Sequence, residues 1–360
     1  MPDALPIVPP DAIDAPWLTA ALRASGHDVE VRGVTTEQIG TGQIGDTFRL
    51  TLDYAGGPPA GAPRSVIGKF PSANAESRQA ARLFRIYQAE ALFYRELAAT
   101  AGMRVPHPYL ALFDEETHDF VLLLEDLGHL RGGNQMTGCT LAEARVVVRE
   151  AARLHASHWE DPRLYASSWI NRPETAWSFY TAEQMRGVWP GFVERHGPSL
   201  APEVLDVARR LVEGFDRWNA PRGGPRSLAH NDLRPDNLLL GDRNGVPEVV
   251  VVDWQTMTFS YGASDLTYFL SGALPPDMRR AHEAEFIASY LEELARGGVR
   301  DYGEREFMRD YRHFSFTAAA IAIGSSMSVK RTERGDAMFM AMLEGAARHV
   351  LDLDALAVLA

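Results

Sequence analysis

Cysteine is almost absent from this sequence, since Cys139 is the single one among 360 residues. A lone cysteine excludes an internal disulfide framework and argues against a cysteine-based zinc site. The sequence also lacks any run of about 18 apolar residues, which a membrane-spanning helix would need. We therefore expect a protein that folds on its hydrophobic core and suits a reducing compartment.

Basic residues are also fewer than acidic residues. Lysine and arginine number 36 against 48 acidic residues, which gives a formal net charge of -12. Nucleic-acid-binding surfaces recruit basic residues, so the charge argues against a nucleic acid partner. An acidic surface also suits a cationic substrate, but solubility is the commoner reason for it.

The first residues, "MPDALPIVPPDAIDAPW", carry acids and prolines where a secretory leader would have a basic start and an apolar stretch. We therefore expect a cytoplasmic protein without a membrane partner.

The hydrophobic pattern divides the chain near Leu127. Residues 1–127 contain a helix that begins after Asp14, one long helix over residues 76–100, and five strand-like segments: "VEVRGVTTEQI", "DTFRLTLDY", "SVIGKF", "PYLALFD" and "DFVLLLEDL". Residues 128–360 are mainly helical, with a short hairpin over "LLLGDRNGVPEVVVVD". The sequence predicts an α+β protein with an antiparallel sheet and long helix in its first part and a helical second part.

A glycine pattern, Gly40-x-Gly42-x-x-Gly45, lies between the first two strand-like segments. This pattern alone is weak, because dinucleotide-binding folds and kinases share it. A dinucleotide-binding loop opens a helix, whereas residues 48–52 alternate apolar and polar side chains as a strand does. The loop is therefore predicted to be a hairpin tip at which backbone amides approach phosphates, and an ordinary glycine turn remains the alternative.

Lys69 is a charge inside an otherwise apolar strand, which is costly unless an anion meets it. Glu90 is the favoured partner, because it interrupts the inward face of the predicted long helix. Glu96 competes for this role, and in a third arrangement Lys69 reaches solvent while Glu90 pairs with Arg85 or Arg95. The inward face is predicted to comprise Leu83, Ile86, Tyr87, Phe93, Tyr94 and Leu97.

The strongest signal is His230-x-Asp232-x4-Asn237, followed by Asp253 at the end of the strand "EVVVVD". Phosphoryl transfer needs a carboxylate that orients an attacking hydroxyl and accepts its proton, together with oxygen ligands for magnesium. Asp232 suits the first task. Asn237 and Asp253 suit the second.

These motifs, in this order, resemble the protein-kinase-like superfamily. Within it the chain is similar to the small-molecule branch of aminoglycoside phosphotransferases, choline kinases and ecdysteroid-kinase-like proteins, over roughly residues 31–275. The resemblance implies a bilobal kinase that uses ATP and Mg²⁺, with lobes at residues 1–127 and 128–360 and the nucleotide in the cleft.

The resemblance also implies roles for single residues. In the nucleotide site it implies that Gly40, Gly42 and Gly45 form the phosphate loop. Lys69 would be the phosphate-binding lysine and Glu90 its helix partner. Glu125 and Leu127 of "LLLEDL" would form the hinge, whose backbone contacts adenine. In the catalytic site it implies Asp232 as base and Asn237 and Asp253 as metal ligands.

Some positions depart from the protein-kinase pattern. Asn231 stands where regulated protein kinases carry arginine, and Asp253-Trp254-Gln255 replaces Asp-Phe-Gly. The stretch from Asp253 to Asp265 is too short for a regulated activation segment that presents a peptide, which favours a small substrate.

Three further residues have roles that the sequence leaves open. Arg234, expected at the catalytic site, either contacts the transferred phosphate or pairs with an acid. Asp265 either braces the catalytic loop or caps a helix. His155 and His158 have the i, i+3 spacing of metal ligands on a helix, but without a third ligand we expect core packing or capping.

The expected function is transfer of the γ-phosphate of ATP to a hydroxyl of a small molecule. An aminoglycoside-like alcohol would need a carboxylate-rich pocket, a choline-like alcohol an aromatic cage, and a steroid-like alcohol an apolar groove. The alternatives are a non-catalytic nucleotide-binding scaffold and, resting on the glycine loop alone, a nicotinamide dehydrogenase. The acceptor, the choice between ATP and GTP, and the oligomeric state are not encoded in these motifs.

Overall fold

The computed structural model describes residues 5–40, 44–170 and 180–359. The chain forms two compact units. The first unit comprises Met1–Thr100, Arg104–Leu130 and Val252–Thr256, and the second comprises Ala101–Met103, Arg131–Val251 and Met257–Ala360. The short segment Val252–Thr256 therefore belongs with the first unit although it lies far along the chain.

A five-stranded antiparallel sheet forms the centre of the first unit, in the order β1-β2-β3-β5-β4. Its strands are β1 Val31–Ile39, β2 Gly45–Tyr54, β3 Ser65–Pro71, β4 Pro108–Phe113 and β5 Phe120–Glu125. All five strands coincide with the segments predicted from the sequence. Because β3 lies between β2 and β5, its residues are held on both edges.

Helix α1, Ala15–Ala24, packs its apolar face on this sheet. The Asp14 side chain caps it by accepting a hydrogen bond from the Trp17 N–H at 2.8 Å. Gly26, at φ 94°, follows its end. The start of this helix was predicted correctly.

The single long helix predicted over residues 76–100 is wrong in detail. The structure has α2, Ala75–Leu83, and α3, Ile86–Leu92, followed by a π-helical turn and a 3₁₀ turn that end at Thr100. Arg85 separates α2 from α3 in a left-handed conformation, φ 54°. Because a left-handed residue breaks the helical register, Leu83 does not share the inward face of α3 and is 75% exposed.

The second unit is mainly helical, as predicted. Its helices are α4 Leu141–Ser157, α5 Pro162–Tyr165, α6 Ala182–His196, α7 Pro202–Glu213, α8 Phe215–Trp218, α9 Gly262–Ala273, α10 Pro276–Arg296, α11 Glu304–Phe314, α12 Thr317–Ser328 and α13 Glu333–Asp352. Helix α9 is buried along nearly its whole length. Within the described ranges, no helix of either unit has the length and apolar character needed to cross a membrane.

In the described part of the second unit there are also five short strands: β6 Arg131–Gly132, β7 Ser227–Ala229, β8 Leu238–Arg243, β9 Val246–Val251 and β10 Thr258–Ser260. The predicted hairpin is β8–β9, which turns at Asn244 and Gly245 with positive φ at both residues. Strands β6, β7 and β10 were missed because two or three residues are too few to show a period. The antiparallel pair β7–β10 anchors the loop that leads from β7 to β8.

The α+β architecture predicted from the sequence is confirmed, with its antiparallel sheet and helical second part.

Candidate active site

Lys69 and Glu90 form a close ion pair inside the first unit. The Lys69 Nζ on β3 lies 2.5 Å from the Glu90 Oε1 on α3. Both side chains are largely buried, with 19% and 4% exposed. Glu96 pairs instead with its neighbour Arg95 at 2.8 Å. Of the three arrangements that the sequence left open, the structure has the Lys69–Glu90 pair.

Burial and charge act in opposite directions on this pair. Burial lowers the pKa of Lys69, but the charges of Glu90 and Asp253 outweigh it and raise the pKa above its ordinary value. Burial raises the pKa of Glu90, and the Lys69 charge offsets only part of that rise. Lys69 is therefore held as a cation.

Asp253 faces the same lysine. Its Oδ1 lies 3.6 Å from the Lys69 Nζ, and its backbone is left-handed at φ 67°. A non-glycine residue in this conformation costs on the order of 1–2 kcal/mol, so its surroundings must hold it there.

Trp254 supplies that support. Its ring stacks on Phe93 with centroids 3.8 Å apart and an interplanar angle of 7°. Its backbone also acts on the Glu90 carboxylate and helps to lower the pKa of that group. The residue after Asp253 is thus tied twice to the segment that carries Glu90.

The predicted glycine loop lies at the tip of the β1–β2 hairpin. Gly40 has φ 73°, a conformation that favours glycine. A Cβ on Gly45 would lie 3.1 Å from the Phe70 carbonyl oxygen, so a side chain there would be crowded. Gly42 lies outside the described residues.

Tyr87, which the sequence assigned only to an apolar face, contacts the end of this loop. Its hydroxyl donates to the Ile44 carbonyl at 2.5 Å and accepts from the Ser72 N–H at 3.0 Å. The helix position was predictable. The hydroxyl contacts were not, because they join residues far apart in the chain.

Glu125 and Leu127, the predicted hinge residues, lie at and just after the end of β5. The Glu125 carboxylate is held by Arg104 at 2.8 and 2.7 Å, so its side chain is engaged. The Leu127 N–H donates no hydrogen bond to any described residue, while its carbonyl accepts from Leu130 at 2.8 Å. A main-chain donor is thus available at the predicted hinge.

In the second unit, Asp232, Arg234 and Asn237 meet on the loop between β7 and β8. The Asp232 Oδ1 accepts from the Arg234 Nε at 3.0 Å, and its Oδ2 accepts from the Asn237 Nδ2 at 2.8 Å. The Tyr268 hydroxyl of α9 also donates to Oδ1, at 3.0 Å. Asp232 therefore accepts hydrogen bonds on both oxygens.

Arg234 is fixed between two acids. Its NH1 donates to Asp236 at 2.7 Å, in addition to the bond from its Nε to Asp232. Burial lowers the pKa of Arg234, but Asp232, Tyr268 and Asp236 outweigh it and raise the pKa. Of its two open roles, the structure shows the pairing with acids.

Asp265 of α9 holds the backbone of this loop. Its carboxylate accepts from the N–H groups of His230 and Asn231, both at 2.7 Å, and is completely buried. Tyr261 occupies the N-cap position of α9, so Asp265 is a brace rather than a cap. Asn231 has φ 62°, a strained conformation that these bonds stabilise.

The histidines have supporting contacts. His155 contacts Asp265 at 3.2 Å and the Tyr290 hydroxyl at 2.7 Å, and is fully buried. The His230 Nδ1 accepts from the Asp232 N–H at 3.3 Å. Both residues therefore position the loop.

Tyr268, which contacts Asp232, was missed by sequence reasoning. It lies three residues after Asp265, which puts both side chains on one face of α9. That spacing, once Asp265 is taken as a brace, is the signal that could have identified it.

Each unit carries an oxygen donor of the kind that magnesium prefers, Asp253 in the first and Asn237 in the second. The Asn237 Nδ2 is committed to Asp232, while its Oδ1 accepts no hydrogen bond from any described residue and stays available as a ligand. The Asp253 carboxylate is 31% exposed, so it too is accessible. Magnesium prefers such hard oxygen ligands and completes its shell with phosphate oxygens and water.

Comparison with solved structures finds the same fold in several kinases. Spectinomycin phosphotransferase in complex with ADP and spectinomycin is 13% identical, with 96% of this chain and 99% of that chain covered and a TM-score of 0.52. Aminoglycoside 2'-phosphotransferase-IIIa with GDP is 14% identical, with coverage of 94% and 99% and a TM-score of 0.51. Ethanolamine kinase of Plasmodium vivax is 14% identical, with coverage of 92% and 86% and a TM-score of 0.51.

Identities this low show likeness of fold alone. No curated protein sequence matches the chain. A family model described as the phosphotransferase enzyme family matches residues 35–310, well over half of the chain. With the arrangement of acids and lysine described above, this match leads to one conclusion: the chain belongs to the phosphotransferase enzyme family.

Proposed function

We propose that this phosphotransferase moves the γ-phosphate of ATP to a hydroxyl group of a small molecule. The observation that carries the proposal is the arrangement of Asp232 and Asn237. A carboxylate fixed by three donors lies beside an amide whose oxygen is left open for a cation. Phosphoryl transfer depends mainly on such positioning and on charge stabilisation.

The residues of the first unit would bind the nucleotide. We assign the phosphates to Lys69, which Glu90 orients, and to the backbone at Gly40, Gly42 and Gly45. The main chain at Glu125 and Leu127 would contact the base.

Asn237 and Asp253 would hold Mg²⁺, which supplies neutralisation of phosphate charge when bound. Asp232 would orient the acceptor hydroxyl and accept its proton. Arg234, already bound to Asp232 and Asp236, keeps a cation at the catalytic carboxylate and would face the transferred phosphate.

The proposal keeps the lobes expected from the sequence, with residues 1–127 for the nucleotide and 128–360 for catalysis and the acceptor. It also places the enzyme in the cytoplasm, where ATP is available. The structural relatives support a small alcohol as acceptor, since spectinomycin and ethanolamine are named for two of them. GDP accompanies another, so GTP is tested beside ATP.

The test is acceptor-stimulated release of nucleoside diphosphate, measured over a library of aminoglycosides, amino alcohols and steroid alcohols. Asp232→Ala should lower kcat by about a hundredfold or more, because a single well-placed group contributes this much. Its affinity for the magnesium–nucleotide complex should be unchanged. The matched control is Asp216→Ala, which removes a 70% exposed carboxylate paired with Arg186 and should keep wild-type turnover.

Near-normal turnover in Asp232→Ala would remove Asp232 from the mechanism. Magnesium-dependent nucleotide binding without transfer to any acceptor in the library would instead favour a non-catalytic scaffold.

A further inference from the structure

The two oxygens of Asp232 are not equivalent. Oδ1 accepts two hydrogen bonds, from the Arg234 Nε and the Tyr268 hydroxyl, both at 3.0 Å. Among the residues that the structure describes, Oδ2 accepts one, from the Asn237 Nδ2 at 2.8 Å. The side chain is 21% exposed, so part of it is accessible to a further partner.

A carboxylate oxygen has two lone-pair directions, and each accepts one good hydrogen bond. Two donors therefore saturate Oδ1, whereas Oδ2 retains one free direction. We propose that Oδ2 of Asp232 is the atom that receives the acceptor hydroxyl, and that Tyr268 is a positioning residue which fixes this choice by saturating Oδ1. This inference rests on the proposed function.

The Tyr268 hydroxyl keeps its proton and so acts as a hydrogen-bond donor to Asp232. The residue is 4% exposed, and burial, with the Asp232 charge, raises its pKa well above the ordinary value of tyrosine. Its proton therefore stays on the hydroxyl, which excludes Tyr268 as a base and leaves donation to Asp232 as its polar contact.

Helix α9 holds the catalytic loop at two levels. Asp265 accepts from the backbone N–H groups of His230 and Asn231, and Tyr268, one turn later, donates to the Asp232 side chain. The first contact fixes where the loop lies. The second fixes the rotation of the carboxylate about its own axis, which a backbone contact cannot do.

The acceptor hydroxyl gives its proton to Oδ2 as its oxygen forms a bond to the γ-phosphorus. The bond from that phosphorus to the oxygen bridging the β- and γ-phosphates breaks, and ADP leaves with the electron pair. If Oδ1 were also open, the carboxylate could rotate and bind water or the acceptor in a second, unproductive arrangement.

The test is Tyr268→Phe, which removes one hydroxyl and keeps the ring. We expect kcat for phosphate transfer to fall about tenfold or more, since a hydrogen bond to a charged group is stronger than one between neutral groups. The KM for nucleotide should not change. The fraction of ATP hydrolysed by water rather than transferred should rise, which loss of stability alone would not cause.

A matched control exists in the same unit. The Tyr302 hydroxyl donates to Asp310 at 2.8 Å, and Arg222 binds the same carboxylate at 2.6 Å. Tyr302→Phe therefore removes the same kind of bond from the same kind of Arg–Asp–Tyr cluster. It should keep wild-type kcat and the wild-type ratio of transfer to hydrolysis.

Arg234→Met removes the other Oδ1 donor and serves if Tyr268→Phe does not fold, as judged by its melting temperature. It should also raise the hydrolysed fraction. A folded Tyr268→Phe variant, or failing that Arg234→Met, with the wild-type ratio of transfer to hydrolysis would overturn the inference.

The two proposals fail separately. An Asp232→Ala enzyme with near-normal turnover would remove Asp232 from the proposed mechanism, and the absence of transfer to any acceptor would sink the proposed function itself. An inactive Asp232→Ala enzyme beside a Tyr268→Phe enzyme with wild-type kinetics would sink only the role of Tyr268.

Discussion

Lysine is rare in this sequence. Lysine and arginine together number 36, and only two of these residues, Lys69 and Lys330, are lysines. Lys69 is also the one that lies in an apolar strand, between Gly68 and Phe70 of β3. An ammonium is a compact charge with three donors, so it can bind Glu90 and still meet a phosphate. At the scale of single residues, a lysine rather than an arginine at position 69 therefore suits the predicted phosphate-binding role.

The rarity of lysine makes a labelling prediction possible. An amine-reactive ester should modify Lys69 more slowly than exposed Lys330, because burial restricts access and the charges of Glu90 and Asp253 raise the pKa of Lys69. Saturating Mg²⁺–ATP should slow Lys69 further and leave Lys330 unchanged, as measured by peptide mass spectrometry.

Glu90→Gln is the companion variant for this measurement. It removes the buried carboxylate and should make Lys69 react faster. A Lys69 rate that is indifferent to nucleotide would exclude this lysine from the nucleotide site.

At the scale of elements, a buried polar cluster joins three helices of the second unit. Glu283 of α10 accepts from the Tyr311 hydroxyl of α11 at 2.8 Å and contacts the His349 Nε2 of α13 at 2.6 Å. Arg279, 1% exposed, donates to the same carboxylate at 2.9 Å. Burial raises the pKa of Glu283, but His349, Arg279 and Tyr311 together outweigh it and lower the pKa to about 2.

This shift predicts the acid sensitivity of the protein. The ordinary pKa of glutamate, 4.5, lies above the folded value, so the contribution of Glu283 to stability is fully present above 4.5. It is lost as the pH falls from about 4.5 to about 2, where the carboxylate becomes protonated in the folded protein as well. Urea unfolding between pH 3 and pH 7 should show this loss in the wild type.

The variant Glu283→Gln should lose about 3–5 kcal/mol of unfolding free energy at pH 7, because Arg279 is left buried with one partner fewer. Its stability should also depend less on pH in the same window. The control on the same helix is Glu292→Gln, which removes a 63% exposed carboxylate and should cost about 0–1 kcal/mol. Equal losses in the two variants would contradict the importance of burial here.

At the scale of the whole molecule, each compact unit carries its own part of the predicted chemistry. Lys69, Glu90 and Asp253 belong to the first unit, and Asp232 and Asn237 belong to the second. Asp253 joins the first group because the segment Val252–Thr256 packs with that unit, although it directly follows β9 of the second.

Nucleotide binding should therefore be visible in global stability. Mg²⁺–ATP at a hundred times its Kd should add about 2.7 kcal/mol to the unfolding free energy and raise Tm by several degrees. ATP without magnesium should raise Tm less. Asp253→Asn, which tolerates the left-handed backbone but lacks the charge, should lose the magnesium-dependent part of the shift. A magnesium-dependent part of the shift that persists in Asp253→Asn would contradict Asp253 as a ligand.

The sequence by itself determined the helices and strands that are long enough to show a period, including all five strands of the first sheet and the β8–β9 hairpin. It also determined the candidate residues, because phosphoryl transfer needs particular side chains at particular spacings. It did not show the break at Arg85, since a helical period runs through "RLFRIY" unchanged.

Only the tertiary structure decided which carboxylate meets Lys69, that Asp265 braces a backbone, and that Oδ1 of Asp232 is occupied while Oδ2 is open. The physical reason is that a period tells which face of an element is buried but not what covers it. The contacts that complete the site join residues such as Tyr268 and Asp232, which are brought together by packing rather than by proximity in the chain.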